Sequence, residues 1–271
     1  MYAALAILMD RRCMLCGDYV GQDCLCLHCR LLLPYVPRRG QTDNYIELRL
    51  AGSIPLQRAY SMVKYSSGTH CATILMAIKY YSASWSACKL GEMMAADATG
   101  SGFFATADVL QPVPLHIIRH LRRGYNQSER LAKGIGRISG LPVKSLVYRW
   151  KNTATQTEKT AEERKENMEG AFRGNRKRIL KALQEARARG RQWLHIIIVD
   201  DVITTGSTIV GCAKAILDAV PDEAGDIRFS VMSLAVAGDL MMGRLTPEKL
   251  HLEDCSASSE EFLDWQHRPL A

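Results

Sequence analysis

Two adjacent carboxylates followed by a hydroxyl-rich turn carry the clearest chemical meaning in this 271-residue chain. They lie in the stretch LHIIIVDDVITTGSTIV at positions 194–210. A turn that opens a helix offers free backbone N–H groups to a phosphate, and Gly206 would let the backbone approach closely. Hydroxyls that could add hydrogen bonds belong to Thr204, Thr205, Ser207 and Thr208. Asp200 and Asp201 would repel a phosphate, so they suit vicinal hydroxyls, a divalent cation, or both.

Four cysteines form a second group with chemical meaning, near the N-terminus. Two C-x2-C pairs, Cys13 with Cys16 and Cys26 with Cys29, are separated by nine residues. Each pair can aim two thiolates at one point, and two pairs complete a tetrahedral zinc site. A rubredoxin-like iron site and a redox pair of thiols would use the same residues, and Cys24 could take the place of Cys26. We expect structural Zn²⁺ held by a small ribbon.

The charge of the chain is concentrated in its middle. Residues 119–191 carry 20 basic and 7 acidic side chains, whereas residues 192–271 carry 5 and 13. A basic block predicts an anionic partner, although a solvated helical surface would give the same count. The basic side chains of its second half are Arg173, Arg176, Lys177, Arg178, Lys181, Arg187, Arg189 and Arg191. Trp193 is the one aromatic residue close to that run, so no base-stacking surface is visible in the sequence.

These groups need a scaffold, and strand-like and helix-like segments alternate along the chain. We expect strands at 58–65, 107–113, 146–148, 194–201 and 229–236, and helices at 71–81, 84–98, 126–139, 179–188 and 207–219. This order is typical of an α/β fold with a mostly parallel sheet flanked by helices, and residues 34–54 look like a linker. No apolar run is long enough for a membrane span and no secretory signal is visible, so we expect a cytoplasmic protein.

The motif V-D-D-V-x-T-T-G-x-T resembles the phosphoribosyl pyrophosphate motif of type I phosphoribosyltransferases. Further motifs extend the likeness: QPVPLH at 111–116, RGYNQSE at 123–129, TQT at 155–157, and an arginine and asparagine at 164 and 167. Together they resemble the ComF family, whose members join a zinc ribbon to a phosphoribosyltransferase-like domain. The resemblance implies a type I phosphoribosyltransferase fold at 55–238 behind a ribbon at 10–40. It leaves an acidic tail at 239–271 without a role.

The resemblance also implies roles for particular residues. Asp200 and Asp201 would hold the ribose hydroxyls, and Thr204 to Thr208 would cradle the 5-phosphate. Candidates for the pyrophosphate and for a closing loop are Lys79, Pro114, Arg119, Arg123, Lys151 and Arg164. Tyr125 and Asn126 could form a hood over a base or could simply begin a helix.

The expected ligand is phosphoribosyl pyrophosphate with Mg²⁺. The expected reaction, which the protein catalyses now or catalysed in its evolutionary past, is transfer of the ribosyl 5-phosphate to a nitrogen nucleophile with release of pyrophosphate. Threonine at position 204 disfavours 6-oxopurine acceptors, whose enzymes carry a general-base aspartate there. The alternative is a competence-associated nucleic-acid-binding protein for DNA uptake, in which the site is a sensor or vestigial. Its partners would be single-stranded DNA or competence proteins, and a homo-oligomer is a further expectation.

Overall fold

The computed structural model describes residues 12–37, 39–42, 44–66, 68–80, 83–115, 124–150 and 170–237. The strands, numbered in chain order, are β1 Leu56–Tyr65, β2 Val109–Pro112, β3 Val147–Arg149, β4 Phe172–Gly174, β5 Leu194–Ile203 and β6 Ile227–Ala237. The helices are α1 Leu27–Leu31, α2 Tyr45–Leu50, α3 His70–Tyr80, α4 Ser84–Thr99, α5 Gln127–Ser139, α6 Arg176–Ala188 and α7 Ser207–Ala219. The acidic tail at 239–271 lies outside the described residues.

Four parallel strands form the central sheet in the order β1-β6-β5-β2. Helices α3 and α4 lie between β1 and β2 in the chain, and α7 connects β5 to β6. β3 and β4 form a separate antiparallel ribbon. The mixed α/β fold with a parallel sheet is therefore confirmed, and the ends of the predicted strands differ from the observed ones by at most two residues.

Strand β5 is buried on both of its faces. Ile196 and Ile198 pack into one hydrophobic cluster together with residues of α2, α6 and α7. Ile197 and Val199 point to the opposite cluster, which contains residues of α3, α4 and α5. This alternation explains the continuous β-branched run, because a central parallel strand needs apolar side chains on both sides.

The predicted linker at 34–54 is wrong, because part of it belongs to the core. Asn44 caps α2 by accepting hydrogen bonds from the backbone N–H groups of Ile46 and Glu47 at 3.1 and 3.2 Å. Ile46 and Leu50 are buried in the first cluster. A helix of one and a half turns is too short to show a clear apolar period, so its polar flanks dominated the sequence pattern.

Helix α6 is also more than a solvated basic helix. It begins at Arg176, three residues before the predicted start, and it buries Ile179, Ala182, Leu183 and Ala186. Two cations in or next to this helix form ion pairs: Arg187 with Asp226 at 2.5 Å and Arg189 with the buried Asp108 at 2.9 Å. Part of the basic run therefore stabilises the fold.

Helices α4 and α5 cross at two glycines. A Cβ atom on Gly91 would lie 2.1 Å from the carbonyl oxygen of Leu131, and one on Gly134 would lie 1.9 Å from that of Cys88. The two backbones are therefore in direct contact at each position. This crossing fixes α5, which carries Ser128, a hydrogen-bond donor to Asp200 at the end of β5.

Candidate functional site

The candidate site lies where β5 ends, at the carboxyl edge of the sheet. Asp200 is paired in register with Ser233 of β6, and the chain continues through Ile203 into the turn before α7. Ligands of open α/β sheets bind outside this edge, because the connections that leave the strands there open into a crevice. The edge is formed at this point by the two adjacent carboxylates.

Asp200 is a buried carboxyl group with defined hydrogen-bond donors. The hydroxyl of Ser128 donates to its Oδ1 at 3.0 Å, and the backbone N–H of Asp201 donates to the same oxygen at 2.9 Å. Burial, followed by the charge of Asp201, raises the pKa of the Asp200 carboxyl to about 8. A buried carboxyl group whose pKa is raised next to a second carboxylate is typical of functional sites.

Asp201 is paired with a cation from helix α3. The Lys79 ammonium lies 3.3 Å from its Oδ2, and the backbone N–H of Val202 donates to its Oδ1 at 2.9 Å. Both side chains of the pair are mostly buried. Lys79, predicted to face a diphosphate, is thus held next to one of the two predicted ribose ligands.

Residues 124–128 join three elements around this edge. The Tyr125 hydroxyl donates to the Ile78 carbonyl oxygen near the end of α3. The Asn126 side chain donates to the Val113 carbonyl oxygen at 2.9 Å and accepts from the Ser128 backbone N–H at 3.1 Å. Of the two interpretations of Tyr125 and Asn126, the structure supports a helix start. Ser128 was not among the predicted site residues, and its position two residues after the capping Asn126 was the available signal.

The hydroxyl-rich turn opens α7. Gly206, the N-cap residue, precedes the helix with φ +81°, a conformation that favours glycine. Thr205 Oγ1 accepts a hydrogen bond from the Ser207 backbone N–H at 3.4 Å. Thr205 Oγ1 and Ser207 Oγ are 2.6 Å apart. A Cβ atom on Gly206 would lie 2.6 Å from Leu50 Cδ2, so α2 closes the inner side of the turn.

The remaining predicted ligands divide into two groups. Pro114 is described, directly after the Val113 carbonyl that Asn126 contacts. Arg119, Arg123, Lys151 and Arg164 lie outside the described residues. The described part of the site is therefore Asp200, Asp201, Lys79 and Ser128, with the turn before α7.

The four predicted cysteine ligands come together in the N-terminal ribbon. The Sγ atoms of Cys13, Cys16, Cys26 and Cys29 all lie within 4.8 Å of one another. Gly17, with φ +82°, follows the first pair, and the backbone N–H of Cys29 donates to Cys26 Sγ at 3.4 Å. Such a group could hold a metal ion and is consistent with structural zinc. Cys24 is not a member of the group and is buried in the second cluster.

The cysteine group is built into the face of the sheet that α3, α4 and α5 cover. Cys13 and Cys29 are buried in the same cluster as Leu75, Ile78 and Leu90. A metal bound there would hold the ribbon together where it packs against the body of the protein.

The structure defines a parallel α/β protein with a cysteine group that could hold a metal and paired carboxylates at the sheet edge. The chain is 37% identical over 126 residues to DNA utilization protein YhgH of Salmonella typhi, covering 46% of this chain and 48% of that protein. It is 40% identical over 111 residues to the Escherichia coli K12 protein of the same name, 41% of this chain and 43% of that protein.

Competence protein F of Haemophilus influenzae is 35% identical over 108 residues, 40% of this chain and 43% of that protein. These matches confirm the predicted resemblance to the ComF family. The chain spans about half the length of the curated relatives it matches. No family model matches the chain. None of the helices in the described ranges has the length and apolarity needed to cross a lipid bilayer.

Proposed function

We propose that this protein takes part in DNA utilization associated with competence, and that single-stranded DNA is a partner. This proposal rests on the similarity to proteins named DNA utilization protein YhgH and competence protein F. The excess of basic side chains in residues 119–191 supports an anionic partner. We keep two further partners as predictions from the sequence, namely competence proteins and a second copy of this chain. Clustered free thiols fit a reducing compartment such as the cytoplasm.

Binding of single-stranded DNA as a function of salt tests this role. Each phosphate neutralised by a lysine or arginine contributes a slope of about −0.7 to the logarithmic salt dependence for a single strand. We expect measurable affinity for an unstructured oligothymidylate that falls steeply with salt. Absence of binding, or binding that does not respond to salt, would contradict the proposed partner.

We also propose that the sheet edge binds a phosphorylated ribose, with phosphoribosyl pyrophosphate and Mg²⁺ as the ligand. The observation that supports this is the juxtaposition of Asp200 and Asp201 with the start of α7, whose N-cap residue Gly206 has no side chain. The carboxylates would accept hydrogen bonds from the ribose hydroxyls, while the backbone and hydroxyls of Thr204–Thr208 would bind the 5-phosphate. Carboxylate and diphosphate oxygens are the ligands that Mg²⁺ prefers, and the ion would enter with the substrate.

The chemistry proposed for this site is transfer of the ribosyl group. The bond between the anomeric carbon and the pyrophosphate oxygen breaks, the electron pair leaves with pyrophosphate, and a nitrogen nucleophile bonds to the same carbon and then loses its proton to solvent. Lys79 would contribute positive charge near the departing diphosphate, and Ser128 would orient Asp200 toward the ribose. Pro114, Arg119, Arg123, Lys151 and Arg164 stay proposed contacts of the diphosphate and the closing loop.

Calorimetry with phosphoribosyl pyrophosphate and Mg²⁺ tests the ligand directly. We expect the D200N/D201N double variant to weaken binding by about a hundredfold, since two charge-assisted hydrogen bonds of about 1.5 kcal/mol each would be lost. Asp218→Asn is the matched control, because Asp218 is an exposed carboxylate near the other end of α7. Equal binding by the double variant and by wild type would refute the assignment. Release of pyrophosphate with a panel of base acceptors then tests transfer.

A further inference from the structure

The β3–β4 ribbon has two unlike faces. Tyr148 lies directly opposite Arg173 in the antiparallel register, and the backbone N–H of Trp150 donates to the Ala171 carbonyl oxygen at 2.9 Å. Side chains alternate between faces along a strand, so Tyr148, Trp150 and Arg173 share one face. Val147 and Phe172 share the other and are buried in the core.

Tyr148 and Trp150 lie on the solvent side of this ribbon. Tyr148 is 45% exposed and Trp150 is 59% exposed, whereas Val147 and Phe172 are 3% and 5% exposed. Phe172 and Val147 already supply the apolar face that anchors the ribbon, so Tyr148 and Trp150 are not required for that packing. Large exposed aromatic residues next to each other are informative because single exposed apolar residues are common and a cluster is not.

A cation completes the exposed face. The guanidinium carbon of Arg173 lies 4.6 Å from the centroid of the Trp150 ring, in cation–π geometry. Arg173 is followed in the chain by Arg176, Lys177 and Arg178, all of which are exposed. The ribbon therefore places two aromatic rings at the start of the basic run. The sequence pattern did not show this, since residues 151–169 separate the aromatic strand from the basic one.

We propose that the exposed face of the β3–β4 ribbon, formed by Tyr148, Trp150 and Arg173, is a stacking platform for the bases of single-stranded DNA. The proposal rests on the DNA role proposed above and assigns it to residues. Arg173 occupies one face of the indole, and a base would stack on the other. Every base has a π-face, so such a platform is tolerant of sequence. The cations that follow Arg173 would contact the phosphates on either side of the stacked base.

Strandedness distinguishes this platform from a purely electrostatic surface. A duplex presents its phosphates but keeps its base faces stacked inside, so Trp150 and Tyr148 would contribute nothing to duplex binding. A surface that acts through charge alone would bind duplex and single strand alike. The platform therefore predicts that the aromatic side chains contribute to affinity for single strands and not for duplex.

The test is a set of oligothymidylate titrations of the full chain, in wild type and in Trp150→Ala, Tyr148→Ala and Trp150→Phe. Base–aromatic stacking is worth ~1–3 kcal/mol per base, so Trp150→Ala is expected to weaken binding about tenfold, and Trp150→Phe is expected to restore most of it. The salt slope should stay unchanged in both, since neither variant removes a charge. Lys177→Ala, which removes one of the exposed cations that follow Arg173, should lower the slope by about one phosphate contact.

A second tryptophan–arginine pair provides the matched control. Arg228 lies over Trp193 with its guanidinium carbon 5.5 Å from the ring centroid, next to the amino end of β5 and so away from the candidate site. Trp193→Ala is expected to leave DNA affinity unchanged. Quenching of tryptophan fluorescence by the oligonucleotide should persist in Trp193→Phe and be largely lost in Trp150→Phe.

The outcomes separate the platform from the DNA role on which it rests. If wild type binds no single-stranded DNA, the DNA role fails and the platform fails with it. If wild type binds single-stranded DNA and the Trp150→Ala and Tyr148→Ala variants bind it equally well, the DNA role stands and the platform is refuted. Equal weakening of duplex and single-strand binding would also refute it. Unfolding curves of each variant exclude loss of folded protein, which is not expected because both aromatic residues are exposed.

Discussion

Asp200 is a carboxylic acid in surroundings that oppose its charge. It is buried, it adjoins the second carboxylate of Asp201, and Ser128 is the side chain that donates a hydrogen bond to it. Lys79 compensates mainly Asp201, to which it is bound. Such an arrangement costs stability in the free protein and is relieved when a cation or hydroxyl groups arrive, which is the behaviour expected of a binding residue.

Replacing Asp200 with asparagine should therefore stabilise the protein at neutral pH. Asparagine keeps an oxygen for the donors at Ser128 and at the Asp201 backbone, and it removes the free-energy cost of holding a proton on a buried carboxyl group. The folded pKa of about 8 lies above the ordinary value of 3.8. Between these values the folded protein holds a proton that the unfolded chain has released, so wild-type stability falls as pH rises.

We expect Asp200→Asn to raise the free energy of unfolding by several kcal/mol at pH 8 and by much less near pH 4. Denaturant unfolding of both proteins across this pH range measures the difference. Asp218→Asn, at an exposed position, should show no such dependence. A destabilised Asp200→Asn at pH 8 would mean that the carboxylate is ionised and well compensated, contrary to this account.

At the scale of elements, the site depends on how closely α4 and α5 approach. Gly91 and Gly134 leave no room for a methyl group, because the atoms that it would meet are backbone atoms of the other helix. Asn126 caps the start of helix α5. Ser128, in the first turn of that helix, donates a hydrogen bond to Asp200. Any outward movement of α5 should therefore also move Ser128 away from Asp200.

Gly134→Ala should destabilise the protein by about 2–3 kcal/mol or more, since overpacking against backbone cannot be relieved by a side-chain rotation. Gly100→Ala is the control. Gly100 ends α4 with a helical φ of −62°, and a Cβ atom there would meet nothing within 4 Å. Thermal or denaturant unfolding of the two variants checks the prediction. Equal stability of Gly134→Ala and wild type would show that the helices are farther apart than described.

At the scale of the whole molecule, the N-terminal ribbon packs against the body through the buried side of its cysteine group. Its buried members, Cys13 and Cys29, belong to the same hydrophobic cluster as residues of α3, α4 and α5. The ribbon has little core of its own, so a metal bound there would contribute to the folding free energy directly. Loss of metal should accordingly loosen the packing on this face of the sheet.

Metal analysis should find about one zinc ion per chain, as expected for a closed four-thiolate site. Cys26→Ser should lose the ion and unfold at a lower temperature, while Cys24→Ala should retain it because its thiol is not part of the group. Chelation of wild type should lower the thermal midpoint as Cys26→Ser does. Iron in place of zinc, or zinc bound equally well by Cys26→Ser, would overturn the assignment.

The sequence determined the elements whose signal is local. The β-branched run of β5 predicted a strand buried on both faces, and the spacing of Cys13, Cys16, Cys26 and Cys29 predicted four thiols that converge. The helix after Gly206 was also predicted, since a glycine and hydroxyl-rich turn is a local helix-start signal. These features depend on residues that are neighbours in the chain.

The tertiary structure decided the features that join distant segments. The hydrogen bond from Ser128 to Asp200, the pairing of Lys79 with Asp201, and the packing of Leu50 against Gly206 each bring together residues from separate elements. The same holds for Trp150 and Arg173, which become neighbours only when β3 and β4 pair across residues 151–169. Such contacts follow from strand order and packing, for which one sequence carries no local pattern. The sequence thus determined the chemistry of the carboxylates and thiols, and the fold decided which side chains surround them.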